Sequence, residues 1–202
     1  MKLTWLGHAC FLLESSDGSV VFDPYETNYV PGVNLPELEA DVCICSHGHN
    51  DHNFAQAVKL SGKDHNLNIS HIPCFHDEKG GSLRGSNLIT IIEAEGIRAA
   101  HMGDLGHMLS DEQFESLGKI DVLMIPIGGF YTIDSETAAA IVKKLQPALT
   151  IPMHFKAEGF GYDVLETRDN FLSLMDNVRF FDTNSIIFTP GTKPITAALS
   201  LR

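Results

Sequence analysis

Seven residues, Ser46–His47–Gly48–His49–Asn50–Asp51–His52, carry three imidazoles and one carboxylate. This crowding of donors limits the chain more than any other stretch. Imidazole and carboxylate together suit Zn, Fe, Mn or Co. On one helix face such donors would recur at i, i+3 or i+4. His47 and His49 are two apart, so they converge only from an extended or looped backbone, and Gly48 lets that loop bend tightly. Asp51 falls at an expected helix start, where its charge meets unpaired N–H groups, and the adjacent His52 must diverge from it. One loop can thus feed two metal positions, one through His47 and His49, the other through Asp51 and His52. The apolar run 41–45 reads as a buried strand and 53–60 as a short helix, which puts the cluster on a strand-to-helix turn.

The remaining pattern is hairpins first and strand–helix alternation later. Residues 3–6 and 10–14 read as strands, and Asp17–Gly18 turns the chain into a third over 19–23. A long Pro- and Gly-bearing loop, 24–40, follows; loops of that length are often functional, and this one is expected to wall a pocket. Strands are expected at 68–72, 87–93, 97–100, 121–125, 148–151, 178–181 and 186–189. Ser110 with Gln113 forms a capping-box pattern, and Gly118 ends that helix. Asp134 caps a second helix with an apolar stripe of Ala138, Ile141, Val142 and Leu145. Asp163 with Glu166 marks a third, running to about Met175. Mixed sheets covered by helices follow, an α/β (α+β) chain. The 202 residues fit a single domain, 1–202.

Composition narrows the partners. The net charge is −12 and Lys and Arg do not cluster, which argues against nucleic acid. No apolar run approaches the ~20 residues that span a bilayer, and the N-terminus enters a strand pattern with no signal-peptide core. A cytoplasmic protein acting on a small molecule is expected, and self-association into a homo-oligomer is compatible with it. The cysteines at 10, 43, 45 and 74 form no C-x-x-C pair. Cys43 and Cys45 read as small buried hydrophobes, and Cys74, near His71 and His76, is a minor candidate for a soft ligand.

Other metal-ligand types recur just past strand ends: His76, Asp104 and His154, as does His47 itself. Asp104 lies between Gly103 and Gly106, where the backbone can approach a ligand closely, and a carboxylate suits the task of bridging two ions. His8 and His101 are read as supports that hold a ligand by hydrogen bonding, and His107 as a pocket residue. His65 reads as a surface side chain.

The set His47-x-His49-x-Asp51-His52, His76, Gly103–Asp104 and His154, with Asp23 at an early strand end, resembles the metallo-β-lactamase superfamily along nearly the whole chain. Within it the chain looks most like the short bacterial branch that includes ascorbate-6-phosphate lactonase-like proteins. The carriers are Trp5–Leu6–Gly7–His8–Ala9, His76–Asp77–Glu78 with Arg84–Gly85–Ser86–Asn87, the stretches 101–106 and 125–132, and Ile151–Pro152–Met153–His154–Phe155. The resemblance implies a four-layer αββα sandwich of two mixed sheets with a dinuclear site at one edge. It implies one metal held by His47, His49 and His76, a second by Asp51, His52 and His154, a bridging Asp104, and Asp23 steadying the ligand loop.

The chemistry expected is metal-dependent hydrolysis. Two divalent ions, Zn first with Mn or Fe as alternatives, would lower the pKa of a shared water to give hydroxide near neutral pH. Hydroxide would attack an ester, lactone or phosphoester of a small anionic substrate. Asp51 and Asp104 are the catalytic candidates, Asp51 accepting or orienting the water's proton. Arg84, Tyr131, Lys156 and His107 are the substrate-contact candidates. Two competing readings keep the metals: an iron-dependent oxidoreductase, against which His49 stands where diiron relatives carry a carboxylate, and a non-catalytic metal-binding protein.

Overall fold

The computed structural model describes residues 1–201. The strands, in chain order, are β1 (Lys2–Trp5), β2 (Phe11–Ser15), β3 (Gly18–Phe22), β4 (Leu38–Ala40), β5 (Val42–Ile44), β6 (Val58–Leu60), β7 (Asn68–Phe75), β8 (Ser86–Ala94) and β9 (Ile97–His101). Helix α1 (Asp111–Leu117), β10 (Val122–Pro126), α2 (Ser135–Leu145), β11 (Leu149–Met153) and α3 (Arg168–Ser173) follow, then β12 (Val178–Phe180), β13 (Ser185–Ile187) and β14 (Ile195–Ala198). They form a five-stranded sheet, β13-β1-β2-β3-β5, a seven-stranded sheet, β12-β14-β11-β10-β9-β8-β7, and a two-stranded pair, β4-β6. This is the α/β sandwich of two mixed sheets expected from the sequence.

Alternation decides how the sheets meet. Leu3, Trp5, Phe11, Leu13, Val20 and Phe22 turn one face of the first sheet toward Ile92, Ala94 and Ala99 of the second, in one buried cluster. Phe22 is 1% exposed, and truncating it to Ala would cost about 3–5 kcal/mol. β10 and β11 are buried along their whole lengths, as parallel strands covered on both faces must be. Helix α2 supplies that cover through Ala138, Ile141 and Val142. Over the outer face of the first sheet no long helix lies among the described residues. Cys10 and Val21 pack there against Tyr25, Val30, Leu38, Ala40 and Val58, so the 24–40 segment and the β4-β6 pair form that layer.

Strand direction places the site. β1 and β3 run the same way because β2 is antiparallel to both, and β5 is parallel to β3. β7 and β9 share a direction through β8, and β10 and β11 run parallel to β9. The C-terminal ends of these strands open on His8, Asp23, His47, His76, Asp104, Tyr131 and His154.

Two expected helices differ. Residues 53–60 form a single 3-10 turn, Ala55–Ala57, and then β6. Val58 is worth more paired beside β4, where it is buried against Tyr25 and Val30, than in an isolated short helix. The third helix starts at Arg168, after Thr167, and not at Asp163. Glu166 accepts from Ser135 Oγ and Asn170 Nδ2 instead of closing a capping box. The strand β14 was not legible, and it inserts beside β11 within the seven-stranded sheet. The capping box at Ser110 and Gln113 and the Asp134 cap form as the sequence indicates. No helix among the described residues is long and apolar enough to cross a membrane.

Candidate metal centre

The ligand-rich loop leaves β5 at Ile44 and is pinned at once. Asp23, at the end of β3, accepts from Ser46 N and Ser46 Oγ, both at 2.6 Å, and its Oδ2 lies 2.8 Å from His52 Nδ1. This fixes the tautomer: Nδ1 carries the hydrogen that Asp23 accepts, and Nε2 is left for the site. Ser46 Oγ also lies 3.0 Å from His47 Nδ1. From the second sheet, His76 follows β7 directly. Asp104 follows β9 in a turn whose peptide is held by Asn87: Asn87 Oδ1 accepts from Asp104 N at 2.9 Å and Nδ2 donates to Met102 O at 2.9 Å. At Gly103 (φ +55) a Cβ would stand 2.4 Å from Asn87 Oδ1, so only glycine permits the turn. His101 serves that turn too. Its Nδ1 accepts from Gly103 N, its Nε2 lies 2.8 Å from Ala9 O, and its ring stacks on Phe22.

The structure brings the seven side chains singled out between positions 47 and 154 to one place. Asp104 Oδ2 lies 3.2 Å from His52 Nε2, 3.2 Å from His76 Nε2, 3.1 Å from His154 Nε2 and 3.9 Å from His47 Nε2. His47 Nε2 is 3.1 Å from His49 Nδ1. The donors fall into three overlapping groups: His47, His49 and His76; His8, Asp51, His52 and His154; and Asp104 with His47 and His52, which draws one member from each of the other two. All donor atoms within each group lie within 4.8 Å of one another.

These residues fit a metal. His8 Nδ1 and Nε2, His52 Nε2, His154 Nδ1 and Nε2, and Asp104 Oδ1 are buried without a hydrogen-bond partner. A buried polar atom left so is costly, and a cation supplies a partner for Asp104 and for one nitrogen of each ring. Electrostatics favours the ligand forms of His8, His47 and Asp104. Burial, aided by neighbouring imidazoles, pushes His8 down to about 4 and His47 down to about 3, so both rings stay neutral. Burial would raise Asp104, but the His154 and His52 rings outweigh it and hold the carboxyl well below its usual range. Burial opposes the His52 cation as well, and Asp104 and Asp23 overcome that and raise its pKa. Three of the seven left-handed non-glycine residues among those described lie here: His8, Asp23 and His154 adopt φ of +53°, +45° and +54°. Such left-handed residues cost about 1–3 kcal/mol each and persist only where the surroundings impose them.

A cavity of about 480 Å³ opens beside the cluster, lined by Tyr29, His49, Asp51, His76, Arg84, Asp104, Tyr131 and Tyr162 among others. Arg84 and Tyr131, two of the candidate substrate contacts, line this cavity. Arg84 Nη2 donates to Phe130 O at 3.0 Å, and the guanidinium carbon lies 5.8 Å from the Tyr131 ring centroid. The loop that presents Arg84 is wound around Asp77, which accepts from the N–H groups of Lys79, Gly81, Leu83 and Arg84. Two expected contacts lie elsewhere. Lys156 Nζ donates to Asp163 O, and His107 is engaged by Phe75 N and Met108 O, so neither lines the cavity. Cys74 Sγ accepts from Asn87 Nδ2 and takes no place among the converging donors. Two lining residues were missed, Tyr29 and Tyr162. Tyr29 sits in the 24–40 loop, as a pocket wall there would suggest. Tyr162, 3.4 Å from Asp51 Oδ2, arrives through a segment with no signal of its own.

A profile of the β-lactamase superfamily domain matches residues 2–154. The chain is similar to the UPF0173 metal-dependent hydrolase of Archaeoglobus fulgidus, 27% identical over 95% of this chain and 97% of the relative. It is 31% identical to that of Thermoplasma acidophilum over 77% of this chain and 83% of the relative. Among solved structures it resembles a candidate Zn-dependent hydrolase of the metallo-β-lactamase superfamily from Thermotoga maritima. The TM-score is 0.78, with 33% identity and 97% of each chain covered.

Proposed function

The chain belongs to the β-lactamase superfamily as a metal-dependent hydrolase, and from that premise we propose that it holds two divalent ions, zinc first, and hydrolyses an ester, lactone or phosphoester of a small anionic molecule. One observation carries the two-ion reading. Asp104 Oδ2 lies within 3.2 Å of a ring nitrogen from each donor group, His76 on one side and His52 and His154 on the other. When bound, such a pair of ions lowers the pKa of a water between them and polarises the substrate oxygen.

The chain's own groups do the rest. Burial would raise Asp51, yet its carboxyl lies below the usual range, in part because the charge of the His52 ring faces it, so it orients a proton rather than storing one. Burial and the Asp51 carboxylate keep the Tyr162 phenol protonated, available as a donor at the cavity wall. Arg84 has one N–H committed to Phe130 O, and the remaining donors of its fork suit a carboxylate or phosphate. The three tyrosines offer apolar faces with polar tips to the body of a small molecule. Relatives that carry the name of metal-dependent hydrolases favour this reading over an iron oxidoreductase or a non-catalytic metal-binding protein.

A panel of lactones, carboxyl esters and phosphodiesters, run on zinc- and manganese-loaded protein with Asp104→Ala as control, tests the proposal. Turnover of at least one class well above the control is expected. Metal analysis giving one ion per chain, or no class hydrolysed faster than the control, defeats it.

A further inference from the structure

We propose that His8, just past the end of the first strand, is a direct donor to the second metal position, which then takes His8, Asp51, His52 and His154. This rests on the two-ion reading above. His8 is fully buried, and neither ring nitrogen has a hydrogen-bond partner. Its Nε2 lies 3.3 Å from Asp51 Oδ2, without the alignment of a hydrogen bond. Two donors bound to one zinc ion at 2.0–2.1 Å in a tetrahedron stand about 3.3 Å apart. The spacing is therefore that of two ligands on one ion.

The surroundings aim the ring and hold it. The His8 ring centroid is 4.0 Å from that of His154 and 5.1 Å from that of His52, and Tyr162 meets it edge-on at 5.6 Å. The backbone is bent for the purpose: Gly7 and His8 have φ of +99° and +53°. His8 O is held by Trp5 Nε1 at 2.9 Å and by His154 N at 3.2 Å. The two left-handed histidines are thus bonded to each other through the main chain. A role as a support for Asp51 would require the hydrogen bond that is missing. The assignment also makes the two positions unequal. The cavity reaches His49 and His76 of the first position but only Asp51 of the second, whose His8, His52 and His154 lie behind the wall. The second position is the more enclosed of the two, and the first is the more open to the cavity.

The experiment is zinc titration of the purified full chain against a chromophoric chelator, with NMR of the 15N-histidine-labelled protein. His8→Gly suits the left-handed backbone, and His8→Asn tolerates it. Wild type is expected to take two equivalents. In the variants one site should weaken by about 100-fold or more, beyond the 10–100-fold typical of a lost supporting hydrogen bond, while the other stays within about twofold. Free imidazole should restore the weakened site in His8→Gly. In zinc-loaded wild type the His8 nitrogen facing the site should show a metal-bound shift and no proton. Two equivalents at wild-type affinity in the variants, or a proton retained on that nitrogen, overturn the assignment alone. A wild type taking one equivalent overturns the two-ion reading and this one with it. Should neither variant fold, the wild-type spectrum decides.

Discussion

Asp23 Oδ2 lies 2.8 Å from His52 Nδ1, while the same carboxylate accepts from both polar groups of Ser46. One buried side chain thus ties the first residue of the ligand loop to the ring at its far end. Asp23→Asn keeps the size and tolerates φ of +45° but is a poorer acceptor for three donors. Zinc affinity is expected to fall about 10–100-fold, with hydrolysis recovering in excess metal. Unchanged affinity in a competition titration would remove Asp23 from the metal centre's support.

Removing the metal should expose the cost of the cluster. Without a cation, the unpartnered nitrogens of His8, His52 and His154 and Asp104 Oδ1 stay buried and unsatisfied. Ions held at 100 times their dissociation constant stabilise by about 2.7 kcal/mol each, and a chain of this size shifts about 2–4 °C per kcal/mol. Chelation of both ions is expected to lower Tm by roughly 10–20 °C and abolish turnover, with both restored by zinc. A calorimetric trace indifferent to chelator would contradict this.

Tyr162 and Lys156 are separated by six positions but by a clear difference of environment. The Tyr162 hydroxyl stands 3.4 Å from Asp51 in the cavity wall, whereas Lys156 is spent on Asp163 O. Tyr162→Phe should lower kcat/KM about 3–10-fold, the worth of one hydrogen bond, without altering zinc stoichiometry. Lys156→Met should change it less than about twofold. Steady-state kinetics on the best substrate of the panel reads both, and the reverse order would refute the cavity's lining.

Asp41 offers a pH test away from the metals. It accepts from Ser61 Oγ, from Ser19 Oγ at 2.9 Å and from Ser19 N at 2.7 Å, and these bonds hold its carboxyl below its usual range. A lowered carboxylate stabilises fully above its unfolded pKa, about 3.9, and less as pH falls through the folded value. Asp41→Asn should therefore melt below wild type at pH 7, with the gap closing below about pH 4. A gap that widened in acid would reverse the assignment.

Local chemistry explains why so much of the site was legible. Donor types keep their identity wherever the chain goes, and His47, His76, Asp104 and His154 each follow an apolar run whose end is visible in the sequence. The errors arose where weak local signals met strong tertiary ones. The run at 53–60 has helix-compatible residues, yet the edge of β4 and the pocket around Tyr25 claim Val58 for a strand. Asp163 and Glu166 have capping-box spacing, but Ser135 of α2 and Asn170 of α3 engage Glu166.

The amino-acid order alone determined that metal-binding side chains sit beyond strand ends, that two periodic helices are capped, and that the strands carry an inner face. It did so because propensity, alternation and side-chain chemistry act within a few residues. Only the packed sheets decided that β1, β3, β5, β7, β9 and β11 deliver their ends to one edge. The same packing made His8 a buried ring without a partner and brought Tyr162 across to Asp51. Those outcomes depend on strand direction and on which loops share space, and such quantities exist only once distant segments have paired.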